Sequence, residues 1–356
     1  MTDNSLLHRV FFEEATFQRL SLFLKKRKPS TVVIICDTNT KKHCLGKLLS
    51  KVSVLRKAEI ITIPNGEKNK NLDTAKKCWE TLLQKRVGKD ALIVALGGGM
   101  VTDVAGFVST VYKRGMPFVF VPTSLLAIAD AAIGGKNGLD FQGYKNILGT
   151  ITMPKAVFIY PGFLRTLPER QLRNGYAEVI KSVLLGSRQL WKRVQNTICP
   201  DSYFLKELIA YSVKYKLGVV RKDPYESGLR KQLNFGHTIG HAIERYFLKK
   251  KDFLLHGEAI AWGMCIELCL GIILKVTGKD LAHKAILFLV AIYKLGNVDN
   301  ALERDILEGV VQDKKNQGTK VFFSLIKSAG RPLPVRTAIP EDICEAIKMY
   351  NLIFRG

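Results

Sequence analysis

The sequence predicts an α/β chain: a parallel sheet flanked by helices over residues 1–165, followed by an all-α domain over residues 166–356. Three observations predict it. Between Thr31 and Ile159, five short and near-continuous β-branched runs alternate with longer stretches of helical spacing, which is how strands buried on both faces of a parallel sheet read. Beyond about Leu164 the alternation stops, and apolar residues recur at three and four until Val321-Phe322-Phe323. Between the two regions Pro161, Gly162 and Pro168 cluster, as breakers do at a boundary. A chain of 356 residues is also too long for one core.

The strands are Val32-Val33-Ile34-Ile35-Cys36, Ile60-Ile61-Thr62-Ile63, Ala91 to Leu96, Phe118-Val119-Phe120-Val121 and Val157-Phe158-Ile159. Ligands of such sheets bind where the strands end, so the residues after each run carry the chemistry. The first run leads into Asp37-Thr38-Asn39, the second into Pro64 to Lys70 with Glu67 inside it, and the third into Gly97-Gly98-Gly99-Met100-Val101-Thr102-Asp103. Three glycines opening a helix let backbone N–H groups meet a phosphate, and Asp37 and Glu67 are placed to take ribose hydroxyls, which suggests a dinucleotide. A glycine triplet alone is more often a tight turn; the three strand ends together carry the reading.

The next segment sets Arg114, Thr123-Ser124, Asp130, Gly134-Gly135-Lys136 and Lys145-Asn146 among apolar residues. Singly these are solvated loop charges; together they form an anion-binding, proton-handling set. The second domain reads as helices over 169–196, 202–221, 234–247, 256–276, 279–294 and 300–311. On the first, Glu178 and Lys181 stand three apart among apolar neighbours, and Glu178 becomes a candidate metal ligand. On the third, His237 and His241 are four apart and share a helical face, the spacing of metal ligands and equally of two satisfied core histidines. His256-Gly257-Glu258 adds a third imidazole and a carboxylate and tips the reading towards a divalent metal.

Composition narrows the classes. Hydrophobic residues make up 47%, which excludes a disordered chain. Lys+Arg 55 against Asp+Glu 31 leaves a net charge of +24, but the basic residues are scattered, no nucleic-acid module is present, and the surplus reads mainly as solvated helix faces compatible with an acidic substrate. Seven cysteines without a C-x-x-C pair indicate a reducing compartment, and Cys265 and Cys269 read as helix packing. The N-terminus lacks a signal-peptide pattern and no 18-residue apolar run occurs, so the expectation is a cytoplasmic protein without membrane or nucleic-acid partners.

In order along residues 30–330, Gly97-Gly98-Gly99, Tyr112-Lys113-Arg114-Gly115, Val121-Pro122-Thr123, Gly134-Gly135-Lys136, Gly143-Tyr144-Lys145-Asn146, Leu167-Pro168-Glu169-Arg170, Ala177 to Lys181, Gly228 to Glu244, His256-Gly257-Glu258 and Asp313-Lys314-Lys315 resemble the 3-dehydroquinate synthases. The resemblance implies a Rossmann-like NAD-binding N-terminal domain, an α-helical metal- and substrate-binding domain, a zinc (or cobalt) ion, and a homodimer. It implies Glu178, His237 and His256 as metal ligands, with His241 in the pocket and off the metal. It implies cofactor binding by Asp37, Asn39, Glu67, Lys70, Gly98, Gly99, Met100, Asp103, Thr123, Ser124, Lys136, Lys145, Phe163, Thr166 and Leu167. Lys136, Lys145, Asn146, Arg230 and Lys315 or Lys314 would hold the carboxylate and phosphate of a sugar-phosphate substrate, and Arg114 would reach the neighbouring subunit's phosphate. Asp130, Lys181, Lys216, Asn234 and His241 would complete the pocket. The implied reaction converts 3-deoxy-D-arabino-heptulosonate 7-phosphate to 3-dehydroquinate and phosphate. The alternatives are another sugar-phosphate cyclase or an NAD- and metal-dependent polyol dehydrogenase; a basic nucleic-acid-binding protein on a degenerate enzyme fold is the rival from another class. Thr102 in place of Gly, Ala131-Ala132 in place of Ser-Ser, Asp140 in place of Asn, and Ser182-Val183 in place of Tyr-Gly depart from the family pattern.

Overall fold

A computed structural model describes residues 9–12, 15–142, 144–250, 254–311, 320–333 and 335–355. The chain divides into two units, up to residue 172 and from residue 173.

The first unit runs β1 (Val10–Phe12), α1 (Thr16–Arg27), β2 (Val32–Asp37), α2 (Thr38–Thr40), α3 (Gly46–Lys51), β3 (Glu59–Ile63), α4 (Leu72–Gln84), β4 (Leu92–Gly97), α5 (Gly99–Val111), β5 (Phe118–Pro122), β6 (Lys136–Phe141), β7 (Tyr144–Ile151) and β8 (Val157–Ile159). Six strands form one parallel sheet in the order β1-β8-β5-β4-β2-β3. Every residue of β4 and β5 is buried, which is why they read as unbroken apolar runs. Asp37 pairs with Ile63, Leu96 with Val121 and Gly97 with Pro122, so four strands end on one edge. From β2 the chain leaves outwards to β3 and from β4 outwards to β5, so the direction reverses between β2 and β4, where such sheets hold their ligands. Phe17, Leu20 and Leu24 of α1 cover one face against Ile34, Val94, Val119 and Phe158.

Three strands of the first unit are absent from the sequence reading. β1 is a three-residue edge strand, and β6 with β7 makes a separate antiparallel ribbon whose Gly, Asn and Lys content hides its alternation.

The second unit is entered through α6 (Glu169–Gly186) and continues with α7 (Arg188–Val194), α8 (Ser202–Lys222), α9 (His237–Lys249), α10 (His256–Ile273), α11 (Lys279–Tyr293), α12 (Asn300–Val311), β9 (Val321–Phe323), β10 (Ile326–Ser328), β11 (Arg331–Pro332), β12 (Arg336–Ala338) and α13 (Pro340–Arg355). The helix expected over 169–196 is two, because Ser187 breaks the run and its hydroxyl caps α7 by accepting from Leu190 N–H. The helix expected from 234 starts at His237, after a tight turn over Leu229–Asn234. Two short antiparallel pairs, β9 with β12 and β10 with β11, join the helices. α10 is long and apolar enough in composition to cross a bilayer, yet 78% of it is buried inside the protein, as a core helix is. All seven cysteines are free thiols, and Cys265 and Cys269 are buried on α10.

Candidate active site

On α6, Asn174, Glu178 and Lys181 follow one another at four and three residues, and on α9 His237, His241 and Glu244 do the same. Each trio therefore lies along one helical face. Asn174 Oδ1 accepts the N–H of Gly257 at 2.6 Å, tying α6 to the first turn of α10. A methyl at Gly257 would lie 1.9 Å from the carbonyl oxygen of Asn174, and one at Gly263 would lie 2.1 Å from that of Gly236, so α10 approaches both α6 and α9 at distances only glycine permits.

This packing brings His237, His241 and His256 together, with ring centroids 5.2, 5.6 and 6.0 Å apart. His237 Nε2 lies 3.4 Å and His256 Nε2 3.8 Å from Oε1 of Glu178, whose side chain is 1% exposed. Neither Glu178 oxygen accepts a hydrogen bond of ordinary geometry, although Lys181 Nζ forms an ion pair with Oε2. Burial opposes the charge of Glu178, but Lys181 and His256 outweigh it and hold the carboxyl well below its usual range. A buried carboxylate held ionised by Lys181 and faced by two imidazole nitrogens suits a two-His, one-carboxylate metal set with an open position.

The second unit also buries cations. Lys181, Lys216 and Arg230 are all buried. Ser212 on α8 donates to Ser182 on α6 at 3.0 Å, joining the helices of Lys216 and Lys181, so Ser182 has a partner of its own. Asn234 Nδ2 donates to Glu226 Oε1 at 2.6 Å. Arg230 Nη1 donates to Pro224 O at 2.6 Å. Its loop is tied to one carboxylate: Asp223 accepts from the N–H groups of Ser227, Gly228 and Arg230 and from the Ser227 hydroxyl. Desolvation pushes Asp223 up, but these four bonds prevail and hold it down to about 2. Its folded value lies below that of an unfolded Asp, about 3.9, so its stabilisation is full above about pH 4 and is lost as pH falls towards 2. Asp223→Asn should destabilise the protein by about 1–2 kcal/mol at pH 7, and the difference from wild type should narrow between pH 4 and 2; thermal melts across that range check this.

In the first unit, Lys70 is the hub. Its buried Nζ reaches Asp103 Oδ2 at 2.5 Å, Asn146 Oδ1 at 2.5 Å and Glu67 Oε1 at 3.6 Å, and Asp103 and Glu67 overcome the desolvation cost to raise its pKa. Asn146, at φ +53°, is held there by Asp140, whose Oδ1 accepts the Asn146 N–H at 2.8 Å. Asp37 Oδ1 accepts from Thr40 N–H at 2.7 Å and caps α2, with Asn39 exposed beside it. Gly98 and Gly99 open α5 without a side-chain cap, and methyls there would meet Ser124 Oγ at 3.2 Å and Ala131 Cβ at 3.3 Å. That narrow cradle at an uncapped helix start fits a pyrophosphate. Thr102 is fully buried and turns its hydroxyl to Gly99 O at 2.9 Å. Met100 and Ser124 are half-buried at the same strand ends, and buried Thr123 donates its N–H to Gly97 O.

The remaining expected residues lie elsewhere or are less enclosed. Phe163 packs into the core against Phe17 and Tyr160, while Thr166 is exposed and Leu167 half-buried. Asp130 and Lys145 are half-buried and Lys136 is exposed. Arg114 is exposed on a turn with Lys113 at φ +49°, Arg114 at +61° and Gly115 at +108°. Lys314 and Lys315, with Asp313, lie outside the described residues.

The sequence profile of the 3-dehydroquinate synthase N-terminal domain matches residues 60–174, and that of the C-terminal domain matches 175–316. The chain belongs to the 3-dehydroquinate synthase family. It is an enzyme of that family, a carbon–oxygen lyase. The 3-dehydroquinate synthase of Parabacteroides distasonis is 35% identical over 334 residues, 93% of this chain and 94% of the relative. That of Pyrococcus furiosus is 42% identical over 253 residues, 70% and 73% of the two chains. Among solved structures, 2-deoxy-scyllo-inosose synthase in complex with carbaglucose-6-phosphate, NAD+ and Co2+ superposes with a TM-score of 0.83 at 22% identity, covering 97% and 98% of the chains. The 2-epi-5-epi-valiolone synthase of Streptomyces hygroscopicus, with NAD+ and Zn2+ bound, gives 0.80 at 25% identity over 91% of each chain.

Sequence reasoning passed over Asn174, Asp223, Glu244 and Glu267. The first and third carried a usable signal, since each completes a polar i, i+4, i+7 face on its helix. Asp223 stands in a loop whose hydrogen bonds no periodicity encodes.

Proposed function

We propose that this chain converts 3-deoxy-D-arabino-heptulosonate 7-phosphate to 3-dehydroquinate and phosphate. The observation that carries the reading is the convergence of two imidazole Nε2 atoms on one oxygen of the buried Glu178, in a member of this family. Glu178, His237 and His256 would hold a zinc or cobalt ion, and the Gly98-Gly99 cradle with Asp37, Glu67, Lys70 and Asp103 would hold NAD. When bound, NAD supplies a reversible hydride acceptor and the ion a Lewis acid that polarises a substrate hydroxyl.

The chain's own residues bind and orient. Lys181, Lys216 and Arg230 are buried cations, and charges so placed serve an anionic ligand better than they serve solvation. Arg230 is aimed by Pro224 O and Asn234 by Glu226, so both present fixed donors to a carboxylate or hydroxyl. Lys136, Lys145 and Asn146 would bind a phosphate, and Arg114 would reach that of a second copy in a homodimer. His241 stands one turn beyond His237 and would hold or pass a proton at an imidazole nitrogen. We place the enzyme in the cytoplasm.

The test is phosphate release from the heptulosonate phosphate with NAD far below the substrate concentration. The expected result is many turnovers per NAD, no net NADH, and loss of activity on chelation. Stoichiometric NADH would instead support a polyol dehydrogenase, and absence of phosphate release would reject the synthase.

A further inference from the structure

Among the described residues, two sets of side chains could cage an ion, Glu178/His237/His256 and His241/Glu244/His256, and they share His256. A neutral imidazole offers one nitrogen as a lone pair and keeps a proton on the other. His256 Nε2 faces Glu178 Oε1 at 3.8 Å, and its Nδ1 faces Glu244 Oε2 at 3.5 Å. Both cages therefore cannot fill at once unless the ring loses both protons.

His237 indicates which nitrogen ligates. Its Nδ1 lies 3.2 Å from Phe235 O, an atom that only accepts, and its Nε2 is turned to Glu178. His256 repeats the arrangement with a carboxylate in place of the carbonyl. Glu244 is 3% exposed, two turns beyond His237 on α9, a costly place for a carboxylate that serves no partner. We propose that Glu244 is a positioning residue: it accepts the Nδ1–H of His256 and fixes the tautomer that presents Nε2 to an ion in the Glu178 cage, so that the second cage is a support of the first. This rests on the metal reading above, and it adds the residue that sets the orientation and proton of one ligand.

The experiment measures zinc affinity and stoichiometry of the full chain by competition with a chromogenic chelator, for wild type, Glu244→Ala and Glu244→Gln, with melting of each metal-free protein as the control. Loss of a ligand's outer partner lowers metal affinity roughly 10- to 100-fold. That loss is expected for Glu244→Ala, with one ion per chain in wild type. Glu244→Gln should recover most of it, because its amide oxygen still accepts from Nδ1–H. Nitrogen-15 spectra of the imidazoles in zinc-loaded wild type should show His256 metallated at Nε2 and protonated at Nδ1, a readout that stands even if the alanine variant fails to fold. Unchanged affinity in Glu244→Ala, metallation of His256 at Nδ1, or a second bound ion lost with Glu244 would each overturn the proposal while leaving the metal reading intact. A wild-type chain that binds no zinc would overturn both.

Discussion

Glu178→Gln is expected to lose its divalent ion, with affinity falling at least about 10³-fold, and to lose phosphate release with it. The change removes the charge on which two imidazoles converge while keeping the shape of the side chain. It also strands Lys181, whose ammonium pairs with Glu178 at 2% side-chain exposure. Removing one member of a buried pair costs roughly 3–5 kcal/mol, so the metal-free variant should melt well below wild type. Glu178→Gln combined with Lys181→Met separates the two effects: metal-free stability should recover and metal affinity should not. His256→Ala should likewise retain no ion, whereas His241→Ala should keep it and lose turnover on the order of 10²-fold, as for a proton-handling group. Equal zinc content in the three single variants would refute the ligand assignment.

Gly263→Ala is expected to destabilise the second unit by about 3 kcal/mol, a fall in melting temperature on the order of 10 °C for a unit of this size. The added methyl would sit 2.1 Å from Gly236 O and 2.6 Å from Gly240 N, both backbone atoms that no rotamer change can move aside. α9 and α10 would have to part, and His237 and His256 with them, so zinc affinity should fall in the same variant. Calorimetry and chelator competition check the two effects, and melting within about a degree of wild type would show that the helices yield more easily than their spacing implies.

The sheet was legible because burial on both faces leaves nothing polar to interrupt β2, β4, β5 or β8. The ribbon of β6 and β7 was not, since the residues that make it a loop-borne site, Gly138, Asn146 and Gly149, are those that erase strand patterning. α13 carried a signal that went unread: proline at its first position, Glu341 and Asp342 in its first turn, and Ile343, Ala346, Ile347 and Tyr350 buried on one face. At the site, spacing alone placed His237 beside His241 but gave no reason to separate them. The separation appears in three dimensions, where Glu178, 59 residues upstream of His237 in the chain, faces His237 and His256 and leaves His241 at the surface. Glu267 had no sequence signal beyond being an acid inside an apolar helix.

His237 and His256 are each the first residue of a helix. A helix start carries a partial positive charge of about half a unit from its unsatisfied N–H groups, so a cation held there would face two repelling ends. Each end is met by an acid: Glu267 accepts from the N–H groups of Gly236 and Ile239 at the start of α9, and Glu258 from that of Leu255 at the start of α10. Burial outweighs those N–H bonds at Glu267 and lifts its pKa to about 8, so its charge is set by pH in that range. While ionised it offsets the helix end at which His237 begins, and once protonated it leaves that end to face the metal ligands uncompensated.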